Sequence, residues 1–302
     1  MVEEFLAQIY RRRPTQEKKL KAFFEREPGA LRDLDAFLVA YRPIWEGPKV
    51  GGLDGLADAY SQVVGEIMMC RVEFLRTGRY PLASQTEAFD SVYADDGRML
   101  SYMLGLGVSQ FLWQAHYRLL AFFKECVAAQ SPSARTLEVG SGHGILINHV
   151  ASRASAEAVI DVVDISASSI ALSKALLTAT NPEVARRIRF VESDIAKYEA
   201  PNPYDFIVLG EVLEHVEAPS GILQALHRVL ADDGSLYVTT CANCPAVDHV
   251  YLFRNVEEIR ELIRGSGFTI AQEVVAPTED KPLEYHERLK LDILYGALLR
   301  KA

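Results

Sequence analysis

The chain has little cysteine, little positive charge and no long apolar run. Its four cysteines in 302 residues, Cys70, Cys126, Cys241 and Cys244, are too few and too irregularly spaced for a disulfide framework, which points to a reducing, cytoplasmic setting. No stretch approaches the roughly 18 uninterrupted apolar residues of a spanning helix. The acids Glu3 and Glu4 stand where a signal peptide carries positive charge, so no membrane partner is expected. Lys and Arg number 32 against 41 Asp and Glu, a formal charge of −9. The deficit is uneven: 16 basic and 17 acidic residues lie in the first 130 positions, 16 and 24 beyond them. A polyanion would meet net repulsion over the second part, so no nucleic-acid partner is expected and small molecules move ahead. Repeats and low-complexity tracts are also missing. What is present, 49% hydrophobic and 24% charged residues, is the composition of a globular protein with an ample core.

Two grammars divide the chain. Residues 1–130 read as all-helical, with 3.6-residue apolar patterns over 2–10, 17–24, 31–41, 53–75 and 99–129, punctuated by Pro14, Pro28, Pro43, Pro48 and Pro81. After the polar breaker Ser131-Pro132-Ser133, compact β-rich runs appear at 136–139, 158–165, 188–192, 206–209, 235–240, 268–275 and 293–299. Helix-compatible segments separate the first five runs, the pattern of a buried parallel sheet covered on both faces. A helical domain over 1–130 and an α/β domain over 131–302 are therefore expected. A helical addition of that size predicts a lid over an acceptor site, a homodimer surface, or both. Its aromatics Tyr80, Phe89, Tyr93, Tyr102, Phe111 and Trp113 are candidates for an apolar pocket or, at helical spacing, for core.

The string Thr136-Leu137-Glu138-Val139-Gly140-Ser141-Gly142-His143-Gly144 runs a buried strand into a glycine turn and then into an amphipathic helix, the plan of a nucleotide-cofactor turn. The third glycine follows the second by two positions, whereas a dinucleotide fingerprint needs three, which disfavours an NAD-dependent oxidoreductase. Glu138, two residues before the first glycine, would repel a pyrophosphate and suits a cofactor bearing an ammonium and a sulfonium. A tight structural turn is the plainer reading of the glycines alone. The next run ends in Asp164, 24 positions after Gly140, where a strand-end carboxylate can take ribose hydroxyls.

These residues, with Glu211-Val212-Leu213-Glu214-His215-Val216 after the fourth run and Gly267-Phe268 before the sixth, resemble the class I S-adenosylmethionine-dependent methyltransferases over residues 131–302. The resemblance implies a Rossmann-like, seven-stranded sheet, mostly parallel with the last strand antiparallel, joined to an N-terminal all-helical domain. It implies S-adenosylmethionine as cofactor, with S-adenosylhomocysteine as product. Glu138, Gly140, Ser141, Gly142, Gly144, Asp164, Ile165, Asp194, Ile195, Gly210, Glu211 and Tyr117 are the residues expected around it. Ile165 would pack on the adenine and Asp194 would take its amino group, unless Asp194 is only a helix cap.

Methyl transfer is an in-line displacement, so positioning and water exclusion matter more than covalent catalysis. His249, beside Asp248 after the fifth run, is the first candidate base, with Asp248 fixing its tautomer; His116 is the second. A small-molecule acceptor is expected and no metal. The alternative is a metal on Glu211, Glu214, His215 and His249, a set resembling that of the magnesium-dependent RNA 3′-end 2′-O-methyltransferases. A cofactor-binding subunit without catalysis is the non-enzymatic rival. Cys241 and Cys244 form a single C-x-x-C, which supports neither zinc nor dithiol chemistry.

Overall fold

The structure, a computed structural model, describes residues 1–88, Val92 and residues 95–302. Phe89 and Tyr93 lie outside the described residues. Helices occupy the first part of the chain: α1 Val2–Arg12, α2 Pro14–Arg26, α3 Pro28–Ala40, α4 Arg42–Trp45, α5 Gly52–Thr77, α6 Gln85–Ala88, α7 Asp96–Leu112 and α8 Gln114–Ala128. Pro14 and Pro28 open α2 and α3, where the missing N–H would have no intrahelical partner. The long pattern over 99–129 is two helices meeting at Trp113, whose backbone is extended. The indole N–H of Trp113 donates to the Tyr60 hydroxyl at 2.8 Å, so a contact with α5 interrupts a periodicity that would otherwise continue. Helices α5 and α7 cross closely at Gly105, where a Cβ would stand 2.6 Å from the Ala59 carbonyl oxygen.

All seven apolar runs are strands: β1 Arg135–Val139, β2 Val159–Asp164, β3 Arg189–Glu192, β4 Tyr204–Gly210, β5 Leu230–Ala242, β6 Phe268–Pro277 and β7 Ile293–Lys301. They form one sheet in the order β3-β2-β1-β4-β5-β7-β6, with β7 antiparallel to both its neighbours and β1 to β5 parallel where they pair. Between strands lie α9 Ile145–Arg153, α10 Ala167–Thr180, α11 Pro182–Ala185, α12 Pro219–Val229, α13 Val256–Gly265 and α14 Leu283–Leu289.

Period-two alternation sorts the core into two layers. Ile160, Val162, Phe206 and Val208 face α8, α9 and α10, whereas Val163, Ile207 and Leu209 face α12 and α13. The first layer is continuous with the N-terminal helices, running from Phe5 and Ile9 through Phe37 and Phe123 to Tyr237 and Leu298. Helix α8 lies directly on the sheet: Tyr237 donates to the Leu119 carbonyl at 3.1 Å and its ring meets Phe123 edge-on at 4.9 Å. Asp161 belongs to this scaffold, because Arg189 holds it through two hydrogen bonds of 3.0 and 2.8 Å.

Candidate active site

The glycine turn leaves β1 at the carboxyl edge of the sheet. Gly140, Gly142 and Gly144 have φ of 76°, 45° and 76°, left-handed values that side chains disfavour. His143 braces the turn: its Nδ1 accepts from the Ile145 amide at 3.2 Å, and its carbonyl accepts from the Tyr41 hydroxyl. Asp164, at the end of β2, closes the other side. One carboxylate oxygen accepts from the Ser141 amide at 2.7 Å and the Ser141 hydroxyl at 3.2 Å, and the other accepts from the Ser166 amide at 2.8 Å. Burial raises its pKa above the usual aspartate value, and these donors pull it back.

A cavity of about 250 Å³ opens above the turn. Glu138, Gly140, Ser141, Gly142, Asp164, Ile165, Gly210 and Glu211 line one half of it, together with Leu146, Ser166 and Thr239. Helices α7 and α8 cover the other half with Tyr102, Met103, Leu106, Gln110, Trp113 and His116. The expected cofactor residues therefore converge, with four exceptions. Gly144 is the N-cap of α9 and does not line the cavity. Asp194 caps the short turn Ile195–Lys197, accepting from the Ala196 amide at 2.9 Å, and Ile195 is buried in the core beneath it. Tyr117 points the opposite way, donating to Asp33 on α3 at 3.0 Å. It follows His116 by one residue, about 100° around the helix, and does not line the cavity.

Buried carboxyls crowd the cofactor half. Glu138 is 1% exposed and its Oε2 has no hydrogen-bond partner; burial, with Asp164 nearby, pushes its pKa well above the usual carboxylate value. Glu211 stands at a left-handed φ of 51°, held there because its amide donates to the Thr239 hydroxyl at 3.0 Å. Its Oε1 and that of Glu214 are likewise buried without a partner, and burial raises both pKa values, that of Glu214 the more strongly. In an apolar enclosure such groups favour a bound cation or a proton.

The far half gathers two imidazoles. His249 Nδ1 meets the Cys244 carbonyl at 2.6 Å and His215 Nδ1 meets the Asp248 carbonyl at 3.0 Å. A carbonyl only accepts, so both rings carry a proton on Nδ1. The rings are perpendicular, 4.8 Å apart. Burial lowers the His249 pKa to about 4, so its imidazole is neutral at physiological pH. The tautomer of His249 is set by the Cys244 carbonyl rather than by Asp248 as expected, and the Asp248 side chain lies 3.6 Å from His215 Nδ1 and accepts from the Tyr102 hydroxyl at 2.8 Å. Asp248 stays close to both rings, with ligand atoms of His215, Asp248 and His249 within 4.8 Å of one another, and no sequence motif marks His215 as a residue that Asp248 meets. His116 also lines the cavity, with Nδ1 2.9 Å from Ser109 Oγ, and burial drops its pKa to about 3. Tyr80 donates no side chain to the wall but accepts from the Cys244 amide at 2.9 Å, and Phe111 packs on Phe37 in the core. Thr278, Asp292 and Leu294, from the β6–β7 connection, complete the wall and carry no motif.

Residues 111–273, just over half of the chain, match the family model of the methyltransferase domain. The chain belongs to that methyltransferase domain family. A ubiquinone biosynthesis O-methyltransferase of Xanthomonas campestris pv. campestris is 31% identical over 115 residues, covering 38% of this chain and 46% of that protein. The chain thus spans about half the length of the curated relatives it matches. Among solved structures, the mitomycin 7-O-methyltransferase MmcR aligns over 85% of this chain and 74% of its own, with a TM-score of 0.57 and 15% identity. The cyclase SpnF aligns over 74% and 98%, with a TM-score of 0.56 and 17% identity. At these identities the likeness shows the methyltransferase-type fold, including its mixed seven-stranded sheet. Among the described residues, no helix is long and apolar enough to cross a membrane.

Proposed function

We propose that the chain binds S-adenosylmethionine at the glycine turn and transfers its methyl group to a small molecule held under α7 and α8. The observation that carries this reading is Glu138, whose buried, unpartnered carboxyl faces the cavity beside the turn. It fits a cofactor bearing an ammonium and a sulfonium and opposes a pyrophosphate. Bound there, S-adenosylmethionine supplies an activated methyl group. Asp164 and Ile165 stand at the end of β2, where the first would take ribose hydroxyls and the second an adenine face. The relatives named as O-methyltransferases support an oxygen acceptor without fixing it.

The chain's own residues supply enclosure and a proton sink. Leu106, Trp113, Leu119, Val216 and Leu294 form apolar walls that displace water from the reacting atoms. His215 and His249 line the same space, where the neutral imidazole of His249 is suited to accept the proton of an acceptor hydroxyl. Among the described residues that line the cavity there is no lysine or arginine, which disfavours an RNA end as acceptor. The open volume beside the imidazoles disfavours a non-catalytic subunit. We place the protein in the cytoplasm, consistent with four free cysteines. We assign homodimer formation to the outer face of α5, where Met68, Met69, Val72 and Leu75 are exposed. The test of the function is a calorimetric titration with S-adenosylhomocysteine, with NAD as control. One-site binding of the former alone is expected, and binding of NAD alone would overturn the reading.

A further inference from the structure

Around His249 the fold assembles a set of donors that the sequence motif did not single out. One ligand atom each from His215, Asp248 and His249 lies within 4.8 Å of the others, and all three residues line the cavity. The glutamates of the motif are not in this group. Glu211 belongs to no such cluster, and Glu214 groups with Cys241 and His249 in a second one that is fully buried.

We propose that His215, Asp248 and His249 bind one divalent first-row transition-metal ion at the acceptor end of the cavity. Two imidazoles and one carboxylate match the soft-to-intermediate preference of manganese, iron, cobalt and zinc, and not the all-oxygen preference of magnesium or calcium. The outer shell of such a site is already built. A metal-ligating imidazole donates its remaining N–H to a carbonyl or carboxylate, and His249 does so to Cys244, as His215 does to Asp248. The Tyr102 hydroxyl fixes the Asp248 carboxylate from the opposite side at 2.8 Å. Each of these contacts orients one of the three residues. They come from three separate places, α7, the turn after β4 and the loop after β5, so local chain geometry alone does not produce the convergence.

Three protein ligands would leave coordination positions open to further donors, and all three residues line the cavity. An acceptor offering an oxygen, or two adjacent oxygens, would complete the shell; this part of the inference rests on the methyl-transfer reading, whereas the ion site itself does not. With the ion present, His215 and His249 serve as ligands in place of proton acceptors.

The test uses the full chain after chelator treatment, titrated with Zn(II) by calorimetry and with Co(II) by absorption. One-site binding is expected. His215→Gln and Asp248→Asn should each weaken it at least tenfold, and Tyr102→Phe should weaken it about 10-fold or more through the outer shell. Cys241→Ser should leave it unchanged. Retention of full affinity in both His215→Gln and Asp248→Asn would overturn the proposal. So would its loss in Cys241→Ser with a thiolate-to-cobalt charge-transfer band in the wild type, which would move the ion to Glu214, Cys241 and His249. Absence of saturable binding by the wild type would overturn it outright. His215 is only half-buried, so its variant reports even where the Asp248 variant fails to fold. Titration of the same samples with S-adenosylhomocysteine separates the two readings: cofactor binding without metal binding removes only the ion site, and the converse removes only the cofactor assignment.

Discussion

Asp164 is the sharpest place to test the cofactor half, because the structure gives it a load apart from any ligand. Its carboxylate receives three hydrogen bonds, from the Ser141 amide and hydroxyl and from the Ser166 amide. Ser141 and Ser166 are 2% and 3% exposed, so Asp164→Ala leaves two backbone donors buried and unanswered. Each costs about 1–3 kcal/mol, giving a gross loss of about 2–6 kcal/mol. Removing a carboxylate that burial disfavours returns part of this, on the order of 1 kcal/mol, so a net destabilisation of about 1–5 kcal/mol is expected for the apo protein. Its upper end is a large share of the roughly 5–15 kcal/mol by which domains are stable. Asp164→Asn keeps one acceptor oxygen and should lose about half as much, roughly 0.5–2.5 kcal/mol, on the same accounting. Urea unfolding of the apo protein measures the first quantity, and calorimetry with S-adenosylhomocysteine measures the second. Both variants should lose at least tenfold in affinity. An apo stability within about 0.5 kcal/mol of wild type for Asp164→Ala, the range of an inert surface change, would refute the claim that this carboxylate clamps the turn.

Three further outcomes follow from the same geometry. Glu138 has a folded-state pKa raised above its unfolded value, so the native state holds the extra proton, and apo stability falls as pH rises above about 4.5. Glu138→Gln should flatten that slope in urea unfolding between pH 5 and 8 while weakening S-adenosylhomocysteine binding, and an unchanged slope would show the carboxyl already charged and paired. For His249 the sign is opposite: its pKa is lowered to about 4, so acid favours the unfolded state from about pH 6.5 down through 4. Its ring nitrogens, followed by NMR, should titrate near 4, and a midpoint at the ordinary histidine value would remove it as a buried neutral base. Gly142→Val places a β-branched side chain at φ 45°, with its Cβ 3.5 Å from the Met103 sulfur. It should cost about 1–3 kcal/mol of stability and abolish cofactor binding, so normal affinity in that variant would make the loop structural only.

The strands were readable as compact β-rich runs: β1, β2 and β4 are buried parallel strands, whose sequences are near-continuous apolar runs, while β6 and β7 pair antiparallel. The start of β5 was not: Ala231, Asp232, Asp233 and Gly234 look like a loop, yet β5 begins at Leu230, which pairs with Tyr204. The cofactor half was readable for the same local reason, since Glu138 through Gly142 is one contiguous turn and Asp164 ends the next strand. The acceptor half has no local signature. Ile67, Tyr102, Trp113, His215, His249 and Asp292 come together from α5, α7, the break before α8, and three loops at the sheet edge. Adjacency misled at His116-Tyr117, where His116 lines the cavity and Tyr117 bonds to Asp33, and at Asp248-His249, where the Cys244 carbonyl rather than Asp248 sets the imidazole's tautomer.

The charge of the molecule and the chemistry of its cavity belong to one problem. An excess of acids over bases need not concern a binding site when the acids are solvated, but Glu138, Asp164, Glu211 and Glu214 are all buried at or beside the cavity. The imidazoles around the cavity that burial keeps neutral, His116, His143 and His249, offset no negative charge. Burial therefore raises the pKa of all four carboxyls, most strongly at Glu138 and Glu214. A ligand that brings positive charge into this space favours their charged forms, so its affinity should rise with pH across the range in which the carboxyls titrate, and its binding should release protons to the buffer. S-adenosylmethionine and the divalent ion proposed above would each meet that description. Calorimetry repeated in buffers of different ionisation enthalpy counts the protons released. Release on binding would tie the buried carboxyls to the ligand, whereas none would mean that they remain protonated and that the cofactor's charge is met elsewhere.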